Sequence, residues 1–388
     1  MDRESMAAPL RRAAAAGDIP GVAATAATAD GVIFEDAFGL RALGDAAPMT
    51  PDTVVWIASM TKALTAACAM QLVERGLLSL DGGIAEVLPE LGRVQVLEGF
   101  DAEARPQLRP PRRAMTLRHL LTHTSGYAYD MWNADLVRYQ QVTGTPGVNT
   151  CCNAALSTPL MADPGERWEY GISIDWVGKA VEAVSGHRLD AYMRQNILAP
   201  LGMDDTGFVV GAPQRERLAK IHVRTPDGLV PTDIMVPQQP EFFMGGGGLY
   251  GTVRDYLRFT QMILHGGRFN GAQVLRPETV ALMAQNAMGE LACRPMQSAI
   301  AASTNDVPFV DGMKWGLSFL INPGPLPTGR AAGSLAWAGL ANSYFWIDPV
   351  RQVTGVYATQ VLPFFDARAV QAFQDFESAV YANLTDAG

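Results

Sequence analysis

The 388-residue sequence is poor in lysine, in cysteine and in continuous apolar stretches, and each shortage excludes a class of protein. It has four lysines (Lys62, Lys179, Lys220 and Lys314) and a formal net charge of −9. Nucleic-acid partners favour a basic face, so this acidic balance argues against them. The four cysteines show no C-x-x-C spacing. This argues against a zinc ribbon or a redox centre and favours free thiols in a reducing compartment.

Long apolar runs are also absent. No stretch approaches 18 uninterrupted apolar residues, so we expect no membrane span and no membrane partner. The first residues include Arg3, Arg11 and Arg12 but no continuous apolar core typical of a secretory signal. We therefore expect a cytoplasmic protein.

Several common catalytic motifs are missing from the sequence. None of the thirteen serines lies in G-x-S-x-G, and there is no H-E-x-x-H, Walker A or helix-opening G-x-G-x-x-G motif. His119 and His123 have the i, i+4 spacing of a metal pair, but no carboxylate motif accompanies them. Capping and hydrogen bonding around the following turn explain them better. We expect neither a metal nor a cofactor.

Periodicity predicts an α/β fold built from both ends of the chain. A strand pair around Asp30-Gly31 follows an N-terminal helix, and strand patterns return at 343–347 and 353–359. Helical patterns dominate between these ends, whereas residues 100–115 and 211–240 are predicted to be loops. The pattern indicates one α/β layer with a helical insertion.

The positive chemical signal is Ser59-Met60-Thr61-Lys62. Residues three apart on a helix project from the same face, so the serine and the lysine should lie together. Lys62 is the only charge in the first part of an apolar helix, and burial would lower its pKa and provide a neutral amine as a base. This arrangement can activate a serine nucleophile without histidine. Chance alone could produce the tetrapeptide, but the apolar context favours function.

Further along the chain the sequence resembles a known superfamily. Trp56-Ile-Ala-Ser-Met-Thr-Lys62 is similar to the nucleophile motif of serine β-lactamases, penicillin-binding DD-peptidases and family VIII carboxylesterases. Further similar segments follow in the family's order: Leu117 to Tyr127, Pro164-Gly-Glu-Arg-Trp-Glu-Tyr170, and the glycine-rich stretch from Gly245 to Phe259. The resemblance implies a β-lactamase-like fold, with an antiparallel sheet flanked by helices, a mainly helical domain, and the active site between them. We expect domain segments at 1–80 and 241–388 (α/β) and at 81–240 (mainly helical).

The third motif separates members of this superfamily. β-Lactamases and DD-peptidases carry K-T-G or a close relative, but none of the four lysines here precedes such a pair. Trp337-Ala338-Gly339 stands in the corresponding place, and family VIII carboxylesterases show a W-x-G of this kind. A cation there would pair with a substrate carboxylate, whereas tryptophan offers an apolar face and one N–H donor, which suits a neutral ester.

The resemblance implies the roles of individual residues. Ser59 is the nucleophile, Lys62 and Tyr170 form the acid–base unit, and the backbone amides of Ser59 and Leu340 form the oxyanion hole. Trp337, Gly339 and Tyr127 are predicted to contact substrate. Glu166, Glu169 and Asp175, near Tyr170, are expected to be solvated or helix-capping. The Gly245–Gly248 run predicts a tight turn that permits close backbone approach.

These residues predict a serine carboxylesterase that hydrolyses short-chain esters through an acyl-enzyme on Ser59. Its expected partner is a small-molecule ester. A β-lactamase or DD-peptidase, or an acyltransferase that passes the acyl group to an alcohol, would use the same acyl-enzyme. The residues do not separate hydrolysis from transesterification, because the two differ only in the acceptor. A non-catalytic binding protein on this fold is disfavoured because Ser59, Lys62 and Tyr170 are all present. The sequence does not indicate an oligomeric state.

Overall fold

The computed structural model describes residues 2–384. Its strands, in chain order, are β1 (Gly21–Thr28), β2 (Gly31–Gly39), β3 (Val55–Trp56), β4 (Val96–Phe100), β5 (Pro106–Arg109), β6 (His222–Thr225), β7 (Gly228–Pro231), β8 (Tyr250–Gly251), β9 (Arg268–Phe269), β10 (Ala272–Gln273), β11 (Lys314–Trp315), β12 (Leu320–Ile321), β13 (Leu335–Gly339), β14 (Ser343–Asp348), β15 (Val353–Ala358) and β16 (Val361–Leu362).

The α-helices over the same residues are α1 (Arg3–Ala15), α2 (Thr61–Glu74), α3 (Leu117–Leu121), α4 (Ala134–Thr143), α5 (Ser173–Ser185), α6 (Leu189–Met193), α7 (Ala199–Leu201), α8 (Ala212–Arg215), α9 (Val253–Leu264), α10 (Pro277–Met283) and α11 (Ala367–Ala382). A π-helical turn, Arg194–Leu198, joins α6 to α7. Short 3-10 turns occur at Ala58–Met60, Ile84–Glu86, Pro89–Gly92, Asp130–Trp132, Val148–Thr150 and Asn153–Leu156. None of the helices in residues 2–384 is both long and apolar enough to cross a membrane.

Seven strands of the described chain form one antiparallel sheet in the order β11-β12-β13-β14-β15-β1-β2. Strand β1 pairs with β2 on one side and with β15 on the other, with Ala23 opposite both Ala37 and Ala358. The N-terminal hairpin thus completes a sheet whose other strands come from the C-terminal part. This confirms the α/β architecture predicted from strand patterns at both ends.

Helices cover both faces of this sheet. Helix α9 packs against β1, β14 and β15, while α1 packs against β2 and α11. Aromatic side chains fill the layer under α11, where Phe376 lies 5.3 Å from Phe34 and Phe373 lies 4.5 Å from Tyr344, ring centroid to ring centroid. The antiparallel sheet flanked by helices, which the resemblance implied, is therefore present. The segments 1–80, 81–240 and 241–388 stay a prediction, and their outer ends fall outside the described residues.

Helix α2 links the sheet to the helical region. All of its residues from Thr61 to Leu72 are buried, as an apolar helix without a polar face requires. It packs along α5, and the turn before it contacts β13 of the large sheet. The N-terminal end of α2 therefore lies where the sheet meets the helical region.

Two predicted loops are wrong in part. Within 100–115 lies half of a ribbon, β4 paired with β5. The polar composition of this segment gives no apolar alternation that would predict a strand. An ion pair between Arg109 and Asp163 holds the ribbon against the rest of the protein. Within 211–240, β6 pairs with β7 and, in parallel, with β16. That second partner is about 140 residues away in the chain, so local sequence cannot reveal it.

Candidate active site

Ser59 lies on a sharply bent segment between β3 and α2. Ala58, just before it, has φ of +44°, a left-handed conformation that is strained for alanine. β3 pairs with β8, which fixes the approach of the chain to this bend. The bend places the half-buried Ser59 at a pocket about 30 Å³ in volume, which is space for only a small group.

Lys62 is the buried partner of this serine. Its side chain is fully buried, and its Nζ donates to Ser59 Oγ at 3.1 Å, to Tyr129 Oη at 3.0 Å and to the Gly246 carbonyl at 2.6 Å. Gly246 O can only accept, whereas the serine and tyrosine hydroxyls can also donate. A neutral amine can therefore keep its bond to Gly246 and take the proton of Ser59.

Burial sets the charge balance around Lys62. It lowers the pKa of the lysine below its usual value, and the Asp175 carboxylate opposes that shift. The pKa of Asp175 is in turn raised by burial and held down by Lys62 and by the Gly246 amide. Lys62 is therefore a buried amine that can be neutral near physiological pH.

Asp175 is not solvated as the sequence predicted, and this expectation is wrong. Its side chain is 1% exposed in the first turn of α5. Oδ1 accepts a hydrogen bond from the Gly246 amide at 2.8 Å, and Oδ2 is buried without a partner among the described residues. A carboxylate held in this way adds negative charge beside Lys62 rather than capping a helix at the surface.

The glycine run brings its backbone against the nucleophile helix, as the sequence predicted. Three carbonyls of the run accept side-chain hydrogen bonds. That of Gly245 accepts from Thr65 Oγ1, that of Gly246 from Lys62 Nζ, and that of Gly247 from Trp56 Nε1. A Cβ atom added at Gly246 would lie 2.8 Å from Asp175 Oδ2 and 2.9 Å from Tyr129 Oη. A side chain at this position would displace groups that surround the lysine.

Tyr170 approaches the serine from an aromatic region. Its hydroxyl accepts a hydrogen bond from Trp337 Nε1 at 2.9 Å, and its ring lies 4.6 Å from the His123 ring and 4.9 Å from the Trp337 ring, between centroids. Burial raises the pKa of Tyr170, while hydrogen bonds from Ser59 and Trp337 oppose the rise. Tyr170 is therefore a neutral phenol that can relay a proton. Lys62 Nζ lies over its ring, 4.7 Å from the centroid.

The end of β13 closes the pocket beside Ser59. A Cβ atom at Gly339 would lie 2.4 Å from the Ile57 carbonyl oxygen, so only glycine permits this close approach to the segment before the serine. The approach brings Leu340 into the pocket wall together with Ser59. Among the described hydrogen bonds, none is donated by the amides of Ser59 or Leu340. Both remain available to an oxyanion.

The structure brings together most of the residues predicted from the sequence. Ser59, Tyr170, Trp337, Gly339 and Leu340 line one pocket, and Lys62 lies beneath it. Their catalytic and binding roles stay predictions.

Tyr127 does not line this pocket. It is fully buried, and its ring stacks on Trp176 at 6.3 Å between centroids. Tyr129, two residues later, occupies the pocket wall instead.

Sequence reasoning missed Tyr129 and Asp175 as members of the site. Asp175 carries the same signal that identified Lys62, since it is the only charge in the apolar stretch from Ile172 to Val177. Tyr129 has no such signal, because only the fold of the segment after α3 decides which tyrosine meets Lys62.

The two histidines of the i, i+4 pair have separate structural positions. His119 caps α3: its amide donates to Thr116 Oγ1 and its Nδ1 accepts from the Thr116 amide, each at 3.2 Å. His123 is buried against Tyr170, where burial and Lys62 lower its pKa and keep the ring neutral. Across residues 2–384, no group of three or more His, Cys, Asp or Glu side chains is arranged to hold a metal ion.

Comparison with known proteins places this geometry in a family. The beta-lactamase family model matches residues 6–379. The chain is 32% identical to monacolin J acid methylbutanoyltransferase of Aspergillus terreus, over 97% of this chain and 95% of that protein. It is 30% identical to lovastatin esterase of Penicillium rubens, over 94% and 95% of the two chains.

Solved structures agree. The unliganded simvastatin synthase of Aspergillus terreus superimposes with a TM-score of 0.86 at 31% identity, covering 98% of both chains. The predicted resemblance to the superfamily is thereby confirmed, and so is the prediction of an enzyme. The chain belongs to the beta-lactamase family and is a serine enzyme of its hydrolase and acyltransferase type.

Proposed function

We propose that this enzyme is a serine carboxylesterase that hydrolyses short-chain, uncharged carboxylic esters through an acyl-enzyme on Ser59. The observation that carries the proposal is the hydrogen bond from Trp337 Nε1 to Tyr170 Oη. It puts an indole and its single N–H beside the nucleophile, where a substrate carboxylate would need a cation. The small volume in front of Ser59 supports a short acyl group.

The contacts around Ser59, together with the resemblance to the family, support the following chemical sequence. Neutral Lys62 takes the proton of Ser59 as Oγ bonds to the ester carbon, and the amides of Ser59 and Leu340 stabilise the negative oxygen. The bond from that carbon to the alkoxy oxygen then breaks. Tyr170 donates its proton to the leaving oxygen and is reprotonated from Lys62, so the alcohol departs neutral. Water repeats the steps in reverse order, giving the acid and free Ser59.

Acyl transfer to an alcohol is the second candidate. The observation that favours it is the 32% identity to a methylbutanoyltransferase over nearly the whole chain. An alcohol that reaches the acyl-enzyme in place of water would take the acyl group by the same reversed steps. The 30% identity to an esterase supports hydrolysis in equal measure. The two candidates share the acyl-enzyme and differ in the acceptor.

A β-lactamase or DD-peptidase activity is the remaining alternative. Substrates of both classes present a carboxylate, and neither Trp337 nor Tyr170 offers it a cation. The comparison of kcat/KM for p-nitrophenyl acetate and for the cephalosporin nitrocefin tests this point. We expect a clear preference for the ester, and an equal or greater value for nitrocefin would contradict the proposal.

Partitioning of the acyl-enzyme separates hydrolysis from transfer. p-Nitrophenyl acetate is turned over with and without 1-butanol, and acetic acid and butyl acetate are quantified. Acetic acid as the main product at millimolar butanol supports the esterase. Butyl acetate as the main product would favour the transferase.

A further inference from the structure

His123 holds the segment that carries Tyr170 at three points. Its carbonyl accepts a hydrogen bond from the Glu169 amide at 2.7 Å, and its ring Nδ1 accepts one from the Gly171 amide at 3.4 Å. These two amides belong to the residues directly before and after Tyr170. The ring of His123 lies 4.6 Å from that of Tyr170, between centroids, which is closer than any other aromatic ring in the described chain. One residue thus contacts both flanks of Tyr170 and its ring.

The turn that contains His123 is bonded and packed against the same segment further along. The Tyr129 amide donates to the Tyr170 carbonyl at 3.2 Å. A Cβ atom added at Gly171 would lie 2.3 Å from the Tyr127 carbonyl oxygen, so the two segments leave no space between them at that point. The position of the Tyr170 peptide is therefore set by this turn, which begins at His123.

Packing alone does not explain a histidine at this position. Its φ is +55°, in the left-handed region that is strained for most residues with a Cβ atom. Because Nδ1 accepts from Gly171, the neutral ring carries its proton on Nε2, and this buried N–H has no partner among the described residues. A buried donor without a partner lowers stability. An apolar ring would avoid that loss but would leave the Gly171 amide without this acceptor, so Nδ1 is what distinguishes the histidine.

His123 itself does not reach the substrate. It is fully buried and does not line the serine pocket, whereas Tyr170 does, with hydrogen bonds to its hydroxyl from Ser59 and from Trp337 Nε1. A general acid must keep hydrogen-bond distance from the atoms between which it moves a proton. Neighbours that lock its orientation therefore affect the rate without any contact with the substrate.

We propose that His123 is a positioning residue for the reaction. It keeps the Tyr170 hydroxyl between Ser59 and Trp337 by fixing the peptide on both sides of the tyrosine and the orientation of its ring. The proposal rests on the proposed function, in which Tyr170 relays a proton. His123 should therefore act on kcat, and only through Tyr170, whereas binding of the ester should not depend on it.

Removal of both side-chain contacts is the first test. His123→Ala should lower kcat for p-nitrophenyl acetate by about 10- to 100-fold with little change in KM, because a displacement of about 1 Å can cost about 100-fold in rate. His119→Ala is the matched control: this half-buried histidine lies earlier in the same motif and caps α3, so its kcat should stay unchanged. Circular dichroism checks that both variants fold. Equal kcat values for the two folded variants would overturn the proposal.

A double-variant cycle separates positioning of Tyr170 from general structural damage. In the Tyr170→Phe background no hydroxyl remains to be positioned, so the addition of His123→Ala should leave kcat unchanged. The loss in His123→Ala alone should also not exceed the loss in Tyr170→Phe. Losses that multiply in the double variant, or a larger loss for His123→Ala, would show that His123 acts on something other than Tyr170.

Two conservative variants each restore one contact. His123→Asn supplies an amide oxygen as acceptor for Gly171 and tolerates the left-handed conformation, whereas His123→Phe restores the ring alone. Each should recover part of the kcat that His123→Ala loses. If His123→Ala fails to fold, both should still lie below the parent enzyme in kcat, and this difference should vanish in the Tyr170→Phe background. Parental kcat in both variants, or no recovery in either, would contradict the proposal.

Hydrogen exchange keeps this inference separate from the proposed function. The amides of residues 169–171, followed by mass spectrometry, should exchange faster in His123→Ala and His123→Phe than in the parent enzyme and in His119→Ala, because the Gly171 amide loses its acceptor. If the parent enzyme turns over no ester, or Tyr170→Phe keeps full kcat, the proposed relay fails and exchange alone decides whether His123 holds the Tyr170 segment. Exchange as slow as in the parent enzyme would overturn the inference.

Discussion

Ser59 lies between two regions that differ in how they hold a proton. On the Lys62 side, hydrogen bonds to Tyr129 and Gly246, together with the nearby carboxylate of Asp175, surround a buried amine. On the Tyr170 side, the phenol receives the N–H of Trp337, lies next to Ser59, and packs against the rings of His123 and Trp337. The polar side can change its charge in the working pH range, whereas the aromatic side keeps its proton.

This difference suggests a division of labour. Burial lowers the pKa of Lys62 and raises that of Tyr170, because it disfavours the charged form of each group. Lys62 is thus suited to accept the serine proton, and Tyr170 to pass one on without carrying charge for long. The predictions below test each side of this comparison, beginning with the atom between them.

Removal of the nucleophile has the largest expected effect. Ser59→Ala should abolish ester hydrolysis and labelling by a fluorophosphonate probe, because no other group occupies the position of its Oγ. Active-site labelling read by mass spectrometry checks this, with circular dichroism to show that the fold is kept. Ser334→Ala, at a buried serine that donates to the Ala331 carbonyl, is the control and should label normally. Labelling of Ser59→Ala at another serine would contradict the assignment.

Loss of the proton-transfer groups comes next. Lys62→Ala and Tyr170→Phe should each lower kcat by a factor on the order of 10²–10⁴, the range for a positioned acid–base group. The double variant should lose far less than the product of the two, because both groups serve the same proton. Steady-state kinetics on p-nitrophenyl acetate measures all three. Independent, multiplicative losses would show that the two sides do not act as a unit.

Tyr129→Phe sharpens that comparison. The Tyr129 hydroxyl contacts Lys62 but has no hydrogen bond with Ser59 among the described contacts. Its loss should therefore lower kcat by about tenfold at most, as expected for one hydrogen bond. This loss is smaller than the one expected for Tyr170→Phe. The two phenylalanine variants measured side by side check the ranking. A larger loss for Tyr129→Phe would assign the relay to the polar side.

The indole N–H of Trp337 gives a smaller effect on the aromatic side. Trp337→Phe should lower kcat/KM for esters by about tenfold or less, since one hydrogen bond to Tyr170 is lost. Trp315→Phe is the matched control: this indole packs against the ring of Tyr170, but its Nε1 has no partner in the part of the chain that the structure describes. Equal losses in the two variants would mean that ring packing, not the N–H, supports Tyr170.

Sequence predicted the elements whose signals are local. The strands around Asp30-Gly31 and at 343–347 and 353–359 follow from periodicity and turn residues, and the Ser59-Lys62 spacing follows from helix geometry. Asp175 shows where local reasoning stopped. An acid beside an aromatic motif is usually solvated, and only the packing of α5 along α2 and the glycine run buries it. Tyr129 required knowledge of a turn that no periodicity describes.

Trp337 shows a second limit of prediction from the sequence. Its motif predicted an apolar contact with substrate, but the structure directs its N–H to the hydroxyl of Tyr170. That contact joins β13 to the loop before α5, which are separated by more than 160 residues in the chain. Long-range pairing of this kind depends on the whole sheet and cannot be derived from one motif.

A shift in pH dependence is the smallest expected effect and tests the polar side most directly. The ester reaction needs neutral Lys62, so kcat/KM should rise with pH through the pKa of the lysine. The charged groups facing Lys62 include Asp175, which raises that pKa, while the neutral His123, Tyr129 and Tyr170 pack around it. Asp175→Asn keeps an Oδ1 acceptor for the Gly246 amide but removes the negative charge. The pKa of Lys62 should then fall further, because a positive charge loses its partner.

The rising limb of the pH profile of Asp175→Asn should therefore move to lower pH, with a modest change in kcat at its plateau. Asp255→Asn is the matched control. Asp255, on α9, is also buried with a raised pKa, but it accepts hydrogen bonds from Thr206 Oγ1 and the Asp205 amide and does not shift the pKa of Lys62. Its limb should stay in place. A limb that moves to higher pH in Asp175→Asn would contradict a negative charge on Asp175 beside Lys62. A limb that does not move would show that Asp175 carries no charge in the working enzyme and acts only through the shape of the glycine run. The charge on the polar side would then be set by burial alone.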